Sequence, residues 1–489
     1  MGMKRLPPLA AFLRSALPVL LLTAPGCPPP AADAPSTVVT GFAVAPDPDR
    51  FFVATASATL AEAHPLAFTC TADDDPEEVF LGETSSTRAG AVVLRGLAAA
   101  RAYTCAVRTR DGTALIGTTS LRYDTPAAPA DLPALVATGD GPLAGGPYTL
   151  FNAQRYCDGE PGRLLIADPA GRIRWVYSLP NGLDMAVEAR PTPEGTIVWG
   201  GGATPAGAPA EVDIDGETLA RISFPGSDGV FFHHDGKRLD DGRTLTLETD
   251  TMVSGDHTWT GFRLRRFDAE GAQDWDWSAQ QAVDAQRLPI GDDDAWHANW
   301  VDLVDGVAYT SLCRSSEVLA VDVATGDVRW RLGDGGDFGL VDEAGAALDA
   351  GEWFQCQHGL EVSGDRLLVY DNGWTRERSR VFELQVDPSS HTATRTWLWE
   401  GPGWYENILG DVDYLPDEHV LVTVGHSDCQ SSTRGTTGVI WEVDRPSGAI
   451  VWSLGFADPA ESGYRAERVD GCWFPNAKWC DRVRDRLDP

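Results

Sequence analysis

Basic side chains are scarce in this sequence. It has 39 lysines and arginines against 72 aspartates and glutamates, and its formal net charge is −33. A field of that sign repels phosphate, which argues strongly against a nucleic acid partner. The acidic residues are spread through turns instead of forming a tail. The short runs at 73–75 and 292–294 have the charge to bind a cation, but solvated loop charge explains them more simply.

Long apolar runs are also missing. The apolar segment SALPVLLLTAPGC, which follows three basic residues near the N-terminus, is too short to be a stable membrane span. It is typical of an export signal, so residues 1–27 are predicted to be a signal peptide. Its small residues before Cys27 resemble a bacterial lipobox, although Pro25 and Ala24 replace the residues that are usual there.

Lipidation of Cys27 would leave residues 28–37, which are rich in proline and alanine, as a flexible tether. The sequence thus predicts an exported lipoprotein that is anchored to a membrane and faces the periplasm or the cell surface. Cleavage by an ordinary signal peptidase, without a lipid anchor, stays the alternative.

No two cysteines form a C-x-x-C pair, so a zinc site of cysteines is not predicted. Eight cysteines remain once Cys27 is set aside, and an even number in an exported protein indicates disulfides. The sequence leaves the connectivity open. Short separations favour Cys70–Cys105 and Cys472–Cys480, and the architecture inferred below would add Cys157–Cys429 and Cys313–Cys356.

Turn-forming residues and tryptophan are abundant, with 51 glycines, 33 prolines and 17 tryptophans, which favours short strands over long helices. Residues 38–125 alternate in runs such as PLAFTCTA and GAVVLRGL and are predicted to form a small β-sandwich. The phrase LRGLAAARAYTCAVRTRDG resembles the late strands of fibronectin type III or immunoglobulin-like domains. Residues 126–133 are predicted to be a linker.

A phrase recurs from residue 134 onwards. An apolar strand ends in Asp, a turn follows, and the next strand usually carries Trp, as in LLIADPAGRIRWVYSL and VIWEVDRPSGAIVWSLG. Six copies occur, most of them preceded by another hairpin, and two hairpins per copy give four strands. We therefore predict an all-β protein whose residues 134–489 form a six-bladed β-propeller. A C-terminal strand near 464–470 would supply the missing innermost strand of the first blade.

Histidines mark the starts of innermost strands in three consecutive blades: His234, His297 and His358. In a propeller, equivalent positions of this kind meet at one mouth of the central channel. Arg314 ends the second strand of blade 4 and returns to the same mouth, and Asn299 follows His297 on the same strand face. A lone strand histidine is more often a core residue, but three at matched positions favour a functional site.

Residue 233 is also a histidine, and it alternates with His234 along the predicted strand. Only one of the two is therefore expected to point inward, and the following Asp235 favours His234.

Three imidazoles with an arginine suit either a metal ion or an oxyanion. Zinc takes three histidines readily. A guanidinium in the same cluster would repel a dication, whereas its planar fork suits sulfate or phosphate. The sequence therefore predicts an anion site and no metal.

The phrases HHDGKRLDDG, WHANWVDL, SLCRSS, FQCQHGLEV and YDNGWTRERSRVFELQVD resemble the bacterial arylsulfate sulfotransferases. The resemblance covers most of residues 134–475, and that family has six blades with a small N-terminal β-domain. It implies transfer of a sulfuryl group from an aryl sulfate to a phenolic acceptor, with no phosphosulfate nucleotide and no cofactor.

The resemblance also implies a role for each candidate residue. His358 would be the nucleophile and form a sulfohistidine, while Arg314, His234 and His297 would hold the sulfuryl oxygens. Asn299 would orient the group. Stacking on the aryl ring is expected from Trp296, Phe354 and Trp374, for which a place in the blade core is the alternative.

One departure from the family pattern leaves an alternative open. Cys313 and Cys356 flank candidate residues, either as a disulfide between blades 4 and 5 or as free thiols. A non-catalytic propeller lipoprotein that binds a ligand or a partner is the second hypothesis, because a fold alone proves no function. A quinoprotein-like dehydrogenase is the third, and six repeats argue against its usual eight blades.

Overall fold

The computed structural model describes residues 38–139, 143–155, 160–180, 183–201, 209–221, 232–291, 293–425 and 438–487. The predicted signal peptide, the tether and the Cys157–Cys429 pair lie outside the described residues. Within those ranges the protein is all-β, as predicted. The two short α-helices are α1, Ala279–Asp284, and α2, Asp481–Leu487. No helix in the described ranges is both long enough and apolar enough to span a bilayer.

Residues 39–124 form an N-terminal sheet of five strands. These are β1 Val39–Pro46, β2 Val53–Ala72, β3 Asp75–Arg95, β4 Ala102–Asp111 and β5 Ala114–Asp124. Strand β2 pairs with β1 and β3 in its first half and with β3 and β4 in its second half. All five strands belong to one hydrogen-bonded sheet, so assignment to an immunoglobulin-like or fibronectin-like sandwich stays a prediction.

Two features fix this sheet. Cys70 lies directly opposite Cys105 across β2 and β4, and the two form a disulfide. Buried Glu78 accepts hydrogen bonds from Arg174 at 2.8 Å and from Arg101 at 2.7 Å. Burial alone would raise the pKa of Glu78, but these guanidiniums hold it down at about 2. Arg174 lies beyond the linker, so its ion pair ties the N-terminal sheet to the rest of the chain.

Six further sheets follow in the described residues. The chain enters them through β6, Leu135–Thr138. Sheet 1 contains β7 Tyr148–Ala153, β8 Arg163–Ala167 and β9 Ile173–Ser178. Sheet 2 contains β10 Ala186–Pro191, β11 Ile197–Gly201, β12 Ala210–Val212 and β13 Thr218–Arg221. Sheet 3 contains β14 Phe232–Arg238, β15 Thr244–Ser254, β16 His257–Phe267 and β17 Gln273–Ser278.

The remaining sheets follow the same pattern. Sheet 4 contains β18 Ala298–Val304, β19 Val307–Leu312, β20 Glu317–Asp322 and β21 Val328–Gly333. Sheet 5 contains β22 Gly339–Asp342, β23 Leu360–Ser363, β24 Arg366–Asp371, β25 Arg380–Asp387 and β26 Thr392–Trp399. Sheet 6 contains β27 Asp411–Leu415, β28 His419–Val424, β29 Val439–Asp444 and β30 Ala449–Phe456.

Both ends of this region complete a sheet. Strand β31, Ala466–Val469, pairs antiparallel with β7 and becomes the first strand of sheet 1. This is where the sequence pattern places a closing strand. Strand β6 pairs with β30 and extends sheet 6 on its outer edge, a second closure that the sequence analysis did not anticipate. In sheet 5, β22 lies on the outer edge, parallel to β26, so β23 is the strand that corresponds to the first strand of the other sheets. These first strands contact one another in neighbouring sheets, from β31 and β10 through to β23 and β27, in a propeller-like arrangement.

The tryptophan of the repeated phrase explains how neighbouring sheets are joined. Its indole N–H donates to a backbone carbonyl in the turn of the next sheet, at 2.7 to 2.9 Å, in the pairs Trp175–Ile214, Trp277–Gly326, Trp399–Gly448 and Trp452–Pro169. The last pair joins sheet 6 to sheet 1. A large ring with one polar atom thus fills the space between sheets and satisfies a buried carbonyl as well.

Candidate functional site

Four aromatic side chains meet where the first strands of four sheets begin. His234 lies at the start of β14, His297 and His358 just precede β18 and β23, and Tyr464 just precedes β31. The ring centroid of His234 lies 4.7 Å from that of His297 and 5.9 Å from that of His358. The rings of His358 and Tyr464 are 5.0 Å apart. The three predicted histidines therefore come together, as their matched positions required.

His233 joins this cluster, which corrects the expectation that only one of the two adjacent histidines points inward. Its ring centroid lies 4.0 Å from that of His234 and 5.3 Å from that of His297. The backbone of His234 has a φ of 62°, and the pairing of β14 with β15 shifts register between Phe232 and Gly236. Strand alternation fails at such an irregularity, so consecutive side chains turn to the same side.

His358 is held in one tautomer. Its Nδ1 lies 2.9 Å from the carbonyl oxygen of Gly410, which only accepts, so Nδ1 carries the proton and donates it. Nε2 then bears the lone pair and accepts from the hydroxyl of Tyr464 at 2.9 Å. The side chain is 2% exposed. Burial, and next the charge of Arg465, lower the pKa of His358 to about 3, so the ring is neutral at pH 7.

Glycine is required at the carbonyl that holds this ring. Gly410 has a φ of 127°, and a Cβ there would lie 2.3 Å from the ring of Tyr370. Tyr370 also accepts a hydrogen bond from the backbone N–H of His358 at its carbonyl, 3.1 Å away. The position of the imidazole thus depends on close packing of backbone against an aromatic ring.

Arg314 reaches the cluster through a carboxylate. Asp294 accepts a hydrogen bond from Nδ1 of His297 at 2.7 Å, and the guanidinium of Arg314 lies 3.5 Å from the same carboxylate. The side chain of Arg314 is 47% exposed and that of His297 30%, so this part of the mouth is open to solvent. The guanidinium charge that argued against a metal is therefore compensated by Asp294, which the sequence analysis noted only as part of an acidic run.

Asn299 lies below the histidines and is fully buried. Its side-chain N–H donates to the backbone carbonyl of Gln357 at 2.9 Å, next to His358. The side chain of Gln357 in turn donates to the carbonyls of Leu312 and Glu317. The amide of Asn299 thus fixes the segment that carries His358, and the role predicted for it towards a bound group stays a prediction.

A buried cation lies beneath this layer. Arg465 pairs with Glu188 at 2.9 Å and Asp235 at 3.2 Å, and it donates to the backbone carbonyl of Asn299 at 2.9 Å. Burial lowers the pKa of His234 well below its usual value, and neighbouring His233 and His297 and the charge of Arg465 lower it further. Burial, followed by His297, likewise lowers the pKa of His233 to about 4.

The structure corrects two of the three aromatic predictions. The ring of Trp296 is buried against Trp259 and Phe262, and only its backbone carbonyl meets the Arg314 turn. Phe354 is buried in the core of sheet 5. Both rings turn into the core because their apolar surface is shielded there, so neither is placed to stack on a ligand. Trp374 is 41% exposed and stays a candidate.

Two further disulfides are formed, one beside the site and one near the C-terminus. Cys313 is bonded to Cys356, which joins the residue before Arg314 to the segment two residues before His358. The alternative of free thiols is thus answered in favour of a bridge. Cys472 is bonded to Cys480, as their short separation suggested.

Sequence reasoning missed Tyr464 and Arg465, although it placed their segment as a closing strand. One signal was available. The start of the first strand of sheet 1 is equivalent to the positions of His234, His297 and His358, so a polar residue there had to reach the same mouth. Asn152 secures this segment, because its side-chain oxygen accepts from the backbone N–H groups of Tyr464 at 2.7 Å and Arg465 at 3.0 Å.

Comparison with known families decides where this chain belongs. The sequence profile of the family described as Arylsulfotransferase (ASST) matches residues 147–465, more than half of the chain. The chain belongs to the arylsulfotransferase (ASST) family. Membership supports aryl sulfotransferase activity in general and implies small-molecule aryl substrates. The matched region ends at Arg465 and so includes the whole histidine cluster and Tyr464.

Other comparisons of this chain find only distant similarity. No curated protein matches the chain. Among solved structures, a nidogen/laminin complex has 10% identity and a TM-score of 0.35, covering 65% of this chain and 97% of its own. Hsv2 of Kluyveromyces lactis has 10% identity and a TM-score of 0.30, covering 82% and 98%. AztD of Citrobacter koseri has 12% identity and a TM-score of 0.24, covering 83% and 97%. Similarity at this level carries no argument about function.

Proposed function

We propose that sheets 1 to 6 are the six blades of a β-propeller, and that the cluster at its mouth transfers a sulfuryl group from an aryl sulfate to a phenolic acceptor. His358 is the nucleophile. One observation carries the proposal: Nδ1–H of His358 donates to the Gly410 carbonyl, so the lone pair of a neutral imidazole is left on Nε2, where the Tyr464 hydroxyl meets it.

In the first half-reaction Nε2 of His358 attacks the sulfur of the aryl sulfate. The N–S bond forms while the S–O bond to the aryl group breaks, and its electron pair leaves with the oxygen as a phenolate. The Tyr464 hydroxyl, released from Nε2, is placed to protonate that phenolate. Nδ1 keeps its proton, which stays hydrogen-bonded to the Gly410 carbonyl, and a sulfohistidine remains.

The sulfuryl oxygens need donors that face the reacting sulfur. His234 lies beside His358, and His297 lies beside His234. His297 donates to a sulfuryl oxygen as an imidazolium, whose charge the Asp294 carboxylate balances. Arg314 contributes a guanidinium at the open side of the mouth. Fixed donors stabilise the charge that builds up on these oxygens in the transition state. The hydroxyl of a phenol then attacks sulfur, its proton passes to the Tyr464 oxygen, and the N–S bond electrons return to Nε2.

The setting of the enzyme follows from its cysteines. Three disulfides occur among the described residues, and such bonds persist in oxidising compartments. They support an exported protein. A lipid anchor on Cys27 is proposed from the sequence alone, and it would hold the enzyme at a membrane on the periplasmic side or at the cell surface.

Trapping the intermediate is the direct test. The protein is mixed with a nitrophenyl sulfate without acceptor, digested and analysed by mass spectrometry. We expect one sulfuryl group on the peptide that contains His358, together with a burst of nitrophenol. His358→Asn should show neither, while His391→Asn, which changes a surface histidine, should show both. A sulfuryl group on another residue would overturn the assignment of the nucleophile.

A second function is favoured by one observation. His358 is buried, and the Tyr464 hydroxyl already occupies its lone pair, which suits a propeller that binds an anionic ligand without turnover. In that case sulfate or nitrophenyl sulfate would bind, as measured by calorimetry, but no nitrophenol would appear at any acceptor concentration.

A further inference from the structure

Three imidazoles of the cluster lie close enough together to share one ion. One ring nitrogen from each of His233, His234 and His297 lies within 4.8 Å of the other two. The three side chains are half-buried, so an ion could reach them from the mouth. His358 is not part of this group, and its two nitrogens are engaged by Gly410 and Tyr464.

We propose that His233, His234 and His297 bind a divalent transition metal ion of the zinc class. Three imidazole nitrogens are a ligand set that zinc takes readily, with a fourth position left for water or a substrate oxygen. Imidazole also suits copper and nickel, while magnesium and calcium require oxygen ligands. The proposed ion is thus one that nitrogen ligands select.

Hydrogen bonds outside the cluster fix the tautomers of two of the three rings as metal binding needs. Nδ1 of His297 donates to the carboxylate of Asp294 at 2.7 Å, and Nδ1 of His233 donates to the carbonyl of Ala298 at 2.9 Å. The Nε2 atom of each ring is left with its lone pair. Metal-binding histidines almost always donate their other ring N–H to a carboxylate or a carbonyl in this way, which orients the ring and raises its basicity.

The nearby charges permit a dication. Arg314 is paired with Asp294, and Arg465 is paired with the buried carboxylates of Glu188 and Asp235. Neither guanidinium is therefore an uncompensated positive charge beside the imidazoles. The argument from sequence that Arg314 would repel a metal does not hold once its carboxylate partner is included.

The ion would compete with the substrate. His234 and His297 are also the residues proposed to hold the sulfuryl oxygens, so a bound metal would take up the ring nitrogens that those oxygens need. We expect zinc to inhibit sulfuryl transfer competitively with the aryl sulfate, and a chelator to restore it. This consequence rests on the proposed function, whereas the binding itself does not.

Cobalt(II) and zinc(II) are the probes. The full chain is treated with a chelator, desalted and titrated with Co²⁺, and the visible absorption of the ion is followed; Zn²⁺ is then titrated by calorimetry. One ion per chain is expected, with Zn²⁺ displacing Co²⁺. His233→Ala and His297→Ala should each abolish the Co²⁺ band, and Asp294→Asn should weaken binding about 10- to 100-fold.

The matched control is His64→Ala, which removes a histidine from the N-terminal sheet and should leave binding unchanged. Circular dichroism checks that each variant is folded. Absence of stoichiometric binding to the intact protein would overturn the proposal, and so would binding that His233→Ala leaves intact, since the ion would then lie elsewhere on this acidic surface. Metal binding without sulfuryl transfer would reject the proposed function alone.

Discussion

The hydroxyl of Tyr464 lies 2.9 Å from Nε2 of His358, although 106 residues separate the two in the chain. The pairing places a phenolic O–H on the nitrogen that bears the lone pair. Tyr464 thereby shields the proposed nucleophile in the resting protein and is the proton donor proposed for a departing phenolate. The geometry makes Tyr464 the residue on which the proposed proton transfer depends.

Replacing Tyr464 by Phe should remove that proton and leave the ring in place. We expect the turnover number to fall by about 10²-fold or more, because a positioned acid typically contributes that much. The loss should be largest for poor leaving groups, which need protonation, and small for nitrophenolate. Turnover of a series of aryl sulfates checks this. An equal loss for every leaving group would assign Tyr464 a structural role.

The low pKa of His358 predicts that the reaction rate falls only at unusually acidic pH. An ordinary imidazole, with a pKa of ~6.5, is mostly protonated at pH 5 and cannot attack sulfur. Burial lowers the pKa of His358 to about 3, so we expect the rate of sulfohistidine formation to be limited by this group only below about pH 4. Single-turnover kinetics with excess donor measure it. An inflection of the rate near pH 6.5 that can be assigned to protonation of His358 would contradict the prediction.

The same shift has a consequence for stability. The unfolded chain binds a proton at residue 358 near pH 6.5, while the folded protein does so only near pH 3. The unfolded state therefore binds more protons in that window, and the free energy of unfolding falls as the pH is lowered through it. The melting temperature of the wild type should drop more between pH 7 and pH 4 than that of His358→Asn, which lacks the titrating group.

Gly410→Ala should displace the carbonyl that fixes the tautomer of His358. The new methyl group would clash with the ring of Tyr370, and overpacking of this kind costs about 1–3 kcal/mol. We expect a lower melting temperature together with reduced turnover. Gly195→Ala is the matched control, because Gly195 also has a positive φ but has no neighbour within 4 Å of an added Cβ. Equal turnover losses in both variants would contradict the proposed role.

Removal of the Cys313–Cys356 bridge should loosen the two segments that carry Arg314 and His358. A disulfide commonly contributes about 2–4 kcal/mol, so the double change to serine should lower the midpoint of denaturant unfolding. We expect KM for the aryl sulfate to rise as well, because Arg314 follows Cys313 directly. The Cys472–Cys480 double change to serine, far from the mouth, should affect stability alone. A rise in KM there too would weaken the link between the bridge and the site.

Local sequence patterns were enough to predict a repeated β-strand architecture and to predict that His234, His297 and His358 lie close together. Alternation of apolar residues and a recurring Asp–turn–Trp phrase are local patterns, and equivalent positions of a repeat must come together when the repeats stack. Tertiary structure decided the rest. The ring of Trp296 turned into the core although its backbone reaches the mouth, and a positive φ at His234 brought His233 inward.

Tertiary structure also brought in Tyr464 and Arg465, through a strand that pairs with β7 from the far end of the chain. Sequence periodicity reports which face of a strand is buried. The count of repeats placed the closing strand beside the first sheet, but it does not report which side chains at the start of that strand reach the histidines, because that depends on contacts such as Tyr464 with His358. It also does not report where one backbone angle reverses the direction of a side chain.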